Sequence, residues 1–326
     1  MGRGSVTAVD PRDVPGFGDL RLRDRARVRA LARLQAQVRH GPDEASQARR
    51  SLPSALQRLV RRAVAPVRVP GQATATIPLD ARPAPRRAET SEGPPRASIV
   101  IPSRGAPTLA QCLAAIASHT RVPHEVIVVD DAAPSPLGGA RTRLAARRGF
   151  PGAVNRGAQL ARADALVILN DDVVVTPGWL TQLLAALELP KAGLVGPATN
   201  DSGDAATEPA RYRDLEGLLA HARSREGAPR EVEKLSLLCA AMRRETFEAL
   251  GGLDEGYGLG MFEDDELCMS LRRRRLRVLL APSAFVHHHG SATFGRMPDA
   301  TRIARFLINR RRFERRWGVR WRAPTV

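Results

Sequence analysis

The chain has 326 residues, 43% of them apolar but only 4% aromatic, with a net charge of +17. That length accommodates one large domain and an appendage, around a core built mainly from Leu, Val, Ala and Ile. The three cysteines, Cys112, Cys239 and Cys268, show no paired spacing, which argues against a zinc module or a disulfide scaffold, and no apolar run approaches the ~18 residues of a membrane span.

Residues 1–69 read as a basic, Arg-rich extension. Apolar residues recur at helical spacing over 20–40, at Val28, Leu31, Leu34 and Val38, and a second helical stretch is expected over 46–64. Residues 1–96 carry 19 Arg against 9 acids, the balance of a solvated or anion-facing arm. Residues 70–96, rich in Pro, Ala, Thr and Arg, read as a linker. From 97 to 318 short β-rich runs alternate with helical segments, and 319–326 is a C-terminal tail. The spacing predicts strands over 98–101, 125–129, 165–169 and 192–195, with helices over 108–119 and 152–161. Such alternation gives right-handed βαβ units and a largely parallel sheet, whose ligands bind beyond the carboxyl ends of the strands.

The strand ends are acidic. Strand 125–129 runs into Asp130 and Asp131, which can accept hydrogen bonds from a nucleobase imide or ribose hydroxyls, or merely shape a turn. Strand 165–169 ends in Asn170-Asp171-Asp172, followed at once by Val173-Val174-Val175. Adjacent carboxylates between two apolar runs are costly unless a cation neutralises them. Oxygen ligands of this kind suit Mg²⁺ or Mn²⁺ bridging to substrate phosphates; a solvated turn is the alternative. Glu263-Asp264-Asp265-Glu266 opens a helix. Acids favour a helix N-terminus, but four exceed that need and supply a candidate general base. A strand over 276–280 and the run 282–286 lead to His287-His288-His289. Neighbours on an extended chain face opposite sides, so these rings cannot all face one ion; one of them, through a neutral nitrogen, can join the Asp pair at a metal, or the three can form a solvated loop.

Seven segments in order carry a resemblance: "ASIVIPSR" at 97–104, "EVIVVDDAA" at 125–133, "GFPGAVNRGAQLA" at 149–161, "LVILNDDVVVTPGWL" at 166–180, "LCAAMRRETFEALGGLDEGY" at 238–257, "MFEDDELCMSLRRRRLRVLLAP" at 261–282 and "FVHHHGSATF" at 285–294. Together they resemble the inverting family 2 glycosyltransferases, of the rhamnosyltransferase and galactofuranosyltransferase kind. The resemblance implies an α/β GT-A nucleotide-diphospho-sugar transferase fold, a Rossmann-like mixed sheet flanked by helices. It implies that Pro102 and Ser103 lie at the base-binding end of the first strand, that Asp130 contacts the nucleobase or ribose, and that Asn155 and Arg156 lie near the nucleotide, Arg156 reaching the diphosphate. Asn170-Asp171-Asp172 takes the place of the family's Asp-X-Asp motif, with Asp172 as metal ligand and Asp171 as a ribose or metal contact. Asp264 would deprotonate the acceptor hydroxyl. Asp265 stands where the family usually has an apolar residue, and two neighbouring carboxylates raise the apparent pKa of the pair. His288 would complete the metal site, with His287 its nearest rival.

The implied activity is inverting transfer of one sugar from a nucleotide-diphosphate sugar, with Mg²⁺ or Mn²⁺, to a glycan or lipid-linked acceptor in cell-surface or cell-wall synthesis. Processive synthases of this fold carry Gln-X-X-Arg-Trp, whereas Phe313 stands where Gln would be in the run ending at Trp317. A sugar nucleotidyltransferase would need a glycine-rich phosphate loop that "IPSRGAP" at 101–107 lacks. The non-enzymatic alternative is a basic nucleic-acid- or membrane-binding scaffold with a degenerate GT-A domain. Scarce stacking aromatics argue against nucleic acid as a partner, while the basic arms suit an anionic membrane. The N-terminus lacks an apolar signal core, so the expected location is cytoplasmic, with peripheral contact at the inner face of the plasma membrane.

Overall fold

The computed structural model describes residues 13–37, 75–81, 93–290 and 299–323. The helical stretch expected over 46–64 lies outside these residues, as do 70–74 and 82–92 of the expected linker.

Residues 93–290 build one sheet from β1 (Ala97–Ser103), β2 (His124–Asp130), β3 (Thr142–Arg143), β4 (Ala165–Leu169), β5 (Val173–Val175), β6 (Ala192–Thr199), β7 (Arg230–Glu231), β8 (Cys239–Arg243) and β9 (Arg277–His288). The strand order is β3-β2-β1-β4-β8-β6-β9-β5, with β7 also on β9. β3, β2, β1 and β4 are mutually parallel. β8 runs against both β4 and β6, and β5 runs against β9, so the sheet is mixed. The helices of the chain are α1 (Leu22–Gln37), α2 (Leu109–His119), α3 (Gly149–Leu160), α4 (Trp179–Leu187), α5 (Leu215–Arg223), α6 (Arg244–Ala249), α7 (Glu263–Arg273) and α8 (Asp299–Trp317).

Both faces of the sheet are covered, which is why its central strands read as continuous apolar runs rather than alternating ones. Ile99, Ile101, Val167 and Leu169 pack with Cys112, Ala115 and Ile116 of α2 and Trp179, Leu180 and Leu183 of α4. The intervening Val100, Leu166 and Ile168 face Ala153, Val154 and Ala158 of α3 and Leu267 and Leu271 of α7, as the two-residue period of a strand requires. α3 lies close on β1: a Cβ on Gly157 would stand 2.2 Å from Val100.

Two boundaries differ from the sequence expectation. Residues 75–81, assigned to a linker, pack on this unit: Ile77 is buried in its core, and the Gln111 side chain donates to the carbonyls of Pro78 and Ala81. The strand expected over 276–280 continues as one strand to His288 across a register shift against β6.

α1 and α8 belong to a second compact unit. Val14, Phe17, Leu20, Val28 and Leu31 bury against Ala300, Ile303, Ala304 and Leu307. Helix α8 therefore groups with the N-terminal helix rather than with the sheet, because its apolar stripe is complementary to that of α1. Among the described residues no helix is long and apolar enough to cross a membrane.

Candidate active site

β1 ends at Ser103 and β4 at Leu169, adjacent in the sheet. The Ser103 hydroxyl donates to Asp171 Oδ2 at 2.5 Å and accepts from the Gly105 N–H at 3.0 Å, so the first strand end and the Asn-Asp-Asp turn are linked directly. Pro102 is partly exposed beside it. Burial pushes the Asp171 carboxyl up to about 6; the Ser103 hydrogen bond opposes this and the Asp172 charge adds to it.

Asp172 meets His288 through strand pairing. β5 runs antiparallel to β9 with Val173 opposite His288, and the His289 N–H donates to the Asp172 carbonyl at 3.0 Å. That register sets Asp172 Oδ1 3.3 Å from His288 Nε2. The ring is held from behind: His288 Nδ1 lies 2.7 Å from the Asp201 carbonyl. A carbonyl can only accept, so Nδ1 carries the proton and Nε2 is the nitrogen turned to Asp172. Asn200 holds the same backbone by accepting from His288 N–H at 2.7 Å and donating to its carbonyl at 3.0 Å. Burial disfavours the charged ring, but Asp172 and the Asp201 carbonyl outweigh it and raise the His288 pKa.

His287 takes the opposite side of β9. Its Nδ1 pairs with the Tyr212 hydroxyl at 2.9 Å, among the rings of Tyr212 and Phe285. Burial, with His289 and His288 nearby, pushes it down to about 3.

A resident divalent cation fits this corner by donor chemistry. Among the described residues no group of three or more His, Cys, Asp or Glu side chains forms a ready-made cage. Asp172 and His288 instead converge as a pair, beside a second carboxylate, and the back of the His288 ring is bonded to a main-chain carbonyl in the way metal-ligating histidines are oriented. A cation held by Asp172 and His288 would have room for substrate oxygens, since Mg²⁺ and Mn²⁺ commonly take few protein ligands beside substrate phosphates.

The Asp130-Asp131 pair is buried and organises backbone. Asp130 accepts from Ala133 N–H at 2.7 Å, Leu137 N–H at 3.1 Å and Arg143 Nη1 at 2.6 Å. Burial alone would raise its pKa; these donors hold it below the ordinary value. Asp131 accepts from the N–H groups of Arg148 and Gly149 at the start of α3. Asp130 thus shapes the loop after β2 with both oxygens engaged.

Asn155 likewise makes internal bonds: its amide donates to Leu253 O at 2.9 Å and Glu255 Oε1 at 3.1 Å, and accepts from Leu253 N–H at 2.8 Å. It fastens α3 to the segment that leads into α7. Arg156, one residue on, is partly exposed and reaches Gln159.

The acidic helix begins after a constrained turn. Met261 and Phe262 both have left-handed φ, 77° and 79°, strain of the kind that collects at functional sites. Asp264 Oδ1 accepts from the Asp265 N–H at 2.8 Å. Lys234, which no motif singled out, donates to Asp265 Oδ2 at 2.6 Å and lies 3.3 Å from Asp264 Oδ2. Burial and the Asp264 charge push Glu263 up to about 8, against the lowering effect of Lys234. The loop after β6 joins the two acidic regions. Its Asn200 and Asp201 hold His288, and its Asp204 accepts from Ser236 N–H at 2.5 Å, two residues beyond Lys234. One signal in the chain could have drawn attention to Lys234: only two of the 51 basic residues are Lys.

Residues 98–251 match Glycosyl transferase family 2. The match covers just under half of the chain and lies within its sheet. The chain is 28% identical over 243 residues to the O-antigen biosynthesis protein RfbC of Myxococcus xanthus, covering 67% of the chain and 19% of that protein. It is 29% identical over 257 residues to an N-acetylglucosaminyl-diphospho-decaprenol L-rhamnosyltransferase of Mycobacterium tuberculosis, covering 67% and 83%. The chain thus spans only a fifth of the Myxococcus protein, and 28% of a further relative. Among solved structures it superposes on a mannosyltransferase of Pyrobaculum calidifontis, in complex with GDP-Man and Mn²⁺, with a TM-score of 0.51 at 19% identity, over 92% of this chain and 77% of that one. The sheet is therefore of the GT-A type.

Proposed function

We propose that this family 2 domain is an inverting, metal-dependent glycosyltransferase that moves one sugar from a nucleoside-diphosphate sugar to an acceptor hydroxyl in cell-surface glycan or glycolipid synthesis. The observation that carries the reading is the Asp172–His288 pair where β5 begins and β9 ends, in a chain whose Myxococcus and Mycobacterium relatives are named for O-antigen biosynthesis and for rhamnosyl transfer. Asp172 and His288 would hold the cation and Asp171 a ribose hydroxyl or the cation. Bound there, Mn²⁺ or Mg²⁺ supplies charge neutralisation for the leaving diphosphate. Asp130 acts on the nucleotide through the loop it shapes, and Ser103 through Asp171. Asp264 accepts the acceptor hydroxyl's proton as that oxygen attacks the sugar C1; the bond from C1 to the diphosphate oxygen breaks, and its electron pair leaves with the nucleoside diphosphate. Attack opposite the leaving group inverts the anomer.

A lipid-linked acceptor is the second part of the proposal, because the Mycobacterium relative's name specifies a diphospho-decaprenol substrate. The helices α1 and α8 supply an Arg-rich surface suited to anionic lipid at the inner face of the plasma membrane.

The decisive measurement is calorimetry of UDP, GDP and dTDP binding with and without Mn²⁺, on wild type and on the Asp172→Ala/His288→Ala double variant. Mn²⁺-dependent binding by wild type that the variant loses is the expected result. Failure of the folded wild type to bind any nucleoside diphosphate would overturn the reading.

A further inference from the structure

In a chain that otherwise uses Arg for positive charge, Lys191 is exposed at a left-handed turn, whereas Lys234 is largely buried, 18% exposed at the side chain, against an acidic helix. Four carboxylates stand in succession there, Glu263, Asp264, Asp265 and Glu266, the last accepting from the Tyr257 hydroxyl. Like charges so close cannot all ionise without a counter-charge, and whichever takes up a proton ceases to be a base. The Lys234 ammonium bonds Asp265 Oδ2 at 2.6 Å and reaches Asp264 Oδ2 at 3.3 Å. A further carboxylate, Asp204, lies near it on the loop after β6. Asp204 is itself fixed by donors from Ser202, Ala206 and Ser236, and the last of these anchors the backbone that carries Lys234.

We propose that Lys234 is the positioning residue of the acceptor-activating carboxylate: it ties Asp265 aside and turns Asp264, whose Oδ1 is already bonded to the Asp265 N–H, so that the side of Oδ2 turned away from Lys234 receives the acceptor's proton. The compact ammonium suits this role better than a guanidinium, whose planar fork would pair with one carboxylate in bidentate fashion. The proposal rests on Asp264 being the base, and the test separates the two.

Nucleoside diphosphate release is measured from UDP-, GDP- and dTDP-hexoses in the presence of a polyprenyl-diphosphate N-acetylglucosamine acceptor, from about pH 5 to 9, for wild type and D264N, K234M, K234R and D265N. D264N is expected to lose about 10²–10⁴-fold in kcat. K234M should lose about 10–100-fold in kcat with donor KM within about twofold, and its acidic limb should move up by about one pH unit, since Asp264 then ionises beside unneutralised acids. K234R should keep the wild-type limb while losing kcat, because it retains charge and loses geometry. D265N, which removes one neighbouring negative charge, should move the limb down. A folded K234M whose limb superposes on that of wild type overturns the role of Lys234 alone. D264N at the wild-type rate overturns the base assignment and the proposal with it. Where K234M does not fold, D265N decides: a limb that stays or rises overturns the proposal.

Discussion

Glu263 illustrates how single residues of the acidic helix carry opposed demands. Its carboxyl is raised to about 8 by burial and by Asp264, against an ordinary value near ~4.3. The folded state therefore holds this proton more tightly than the unfolded chain does. The stability so contributed is fully present below the unfolded value and is lost as pH rises through about 8. Glu263→Gln should remove that dependence: thermal melts between about pH 5 and pH 9 should show the variant gaining at least about 1 kcal/mol on wild type at the alkaline end. Equal pH slopes for the two proteins would refute it. The acidity of this stretch is plain in the sequence. Which acid keeps its proton is set by Lys234 and by burial, neither of which a local motif reveals.

At the scale of elements, α3 is the brace between the nucleotide edge and the acidic helix. Its first residue, Gly149, has φ +75°, and a Cβ there would stand 2.2 Å from the Gly258 carbonyl. Gly178, before α4, has φ +82° but nothing within 4 Å of a Cβ. Gly149→Ala should thus lower the urea midpoint by an amount equivalent to about 2–4 kcal/mol, adding overpacking to left-handed strain. Gly178→Ala should lower it by only about 1 kcal/mol. Similar losses at the two positions would mean that close packing of α3 on the 251–260 segment is not what Gly149 provides. Strands β1, β2, β4 and β6, the first part of β9, and helices α2, α3 and α7 were legible from apolar period and turn residues, whereas β3, β5, β7 and β8 were not. The continuation of β9 to His288 was not, because Pro282 and Ser283 interrupt the β-rich pattern, while pairing with β6, β5 and β7 supplies the hydrogen bonds that carry the strand across them.

For the whole molecule, charge and catalysis are distributed over different parts of the chain. The described residues of the α1–α8 unit hold 15 Arg against 5 acids, with Arg315, Arg316 and Arg320 exposed. Flotation with vesicles containing anionic phospholipid should recover the protein at about 50 mM salt and release it at about 500 mM. Arg315→Glu/Arg320→Glu should weaken recovery while leaving nucleotide binding intact. Recovery that is indifferent to acidic lipid would exclude an electrostatic membrane contact.

The sequence by itself determined the α/β alternation, the strand-end carboxylates, the acidic helix start and the family resemblance, since each is written in contiguous residues whose local period and chemistry suffice. It also determined that the basic extension differs in kind from the α/β domain C-terminal to it. Only the tertiary structure decided that Asp172 meets His288 rather than His287, because the pairing register of β5 on β9 selects which ring faces the Asp. It alone turned Asp130 and Asn155 inward and grouped α8 with α1. It alone brought Lys234 to Asp264 and Asp265. Each of these is a contact between distant segments, and such contacts are chosen by the packing of whole elements, to which no local stretch of residues is sensitive.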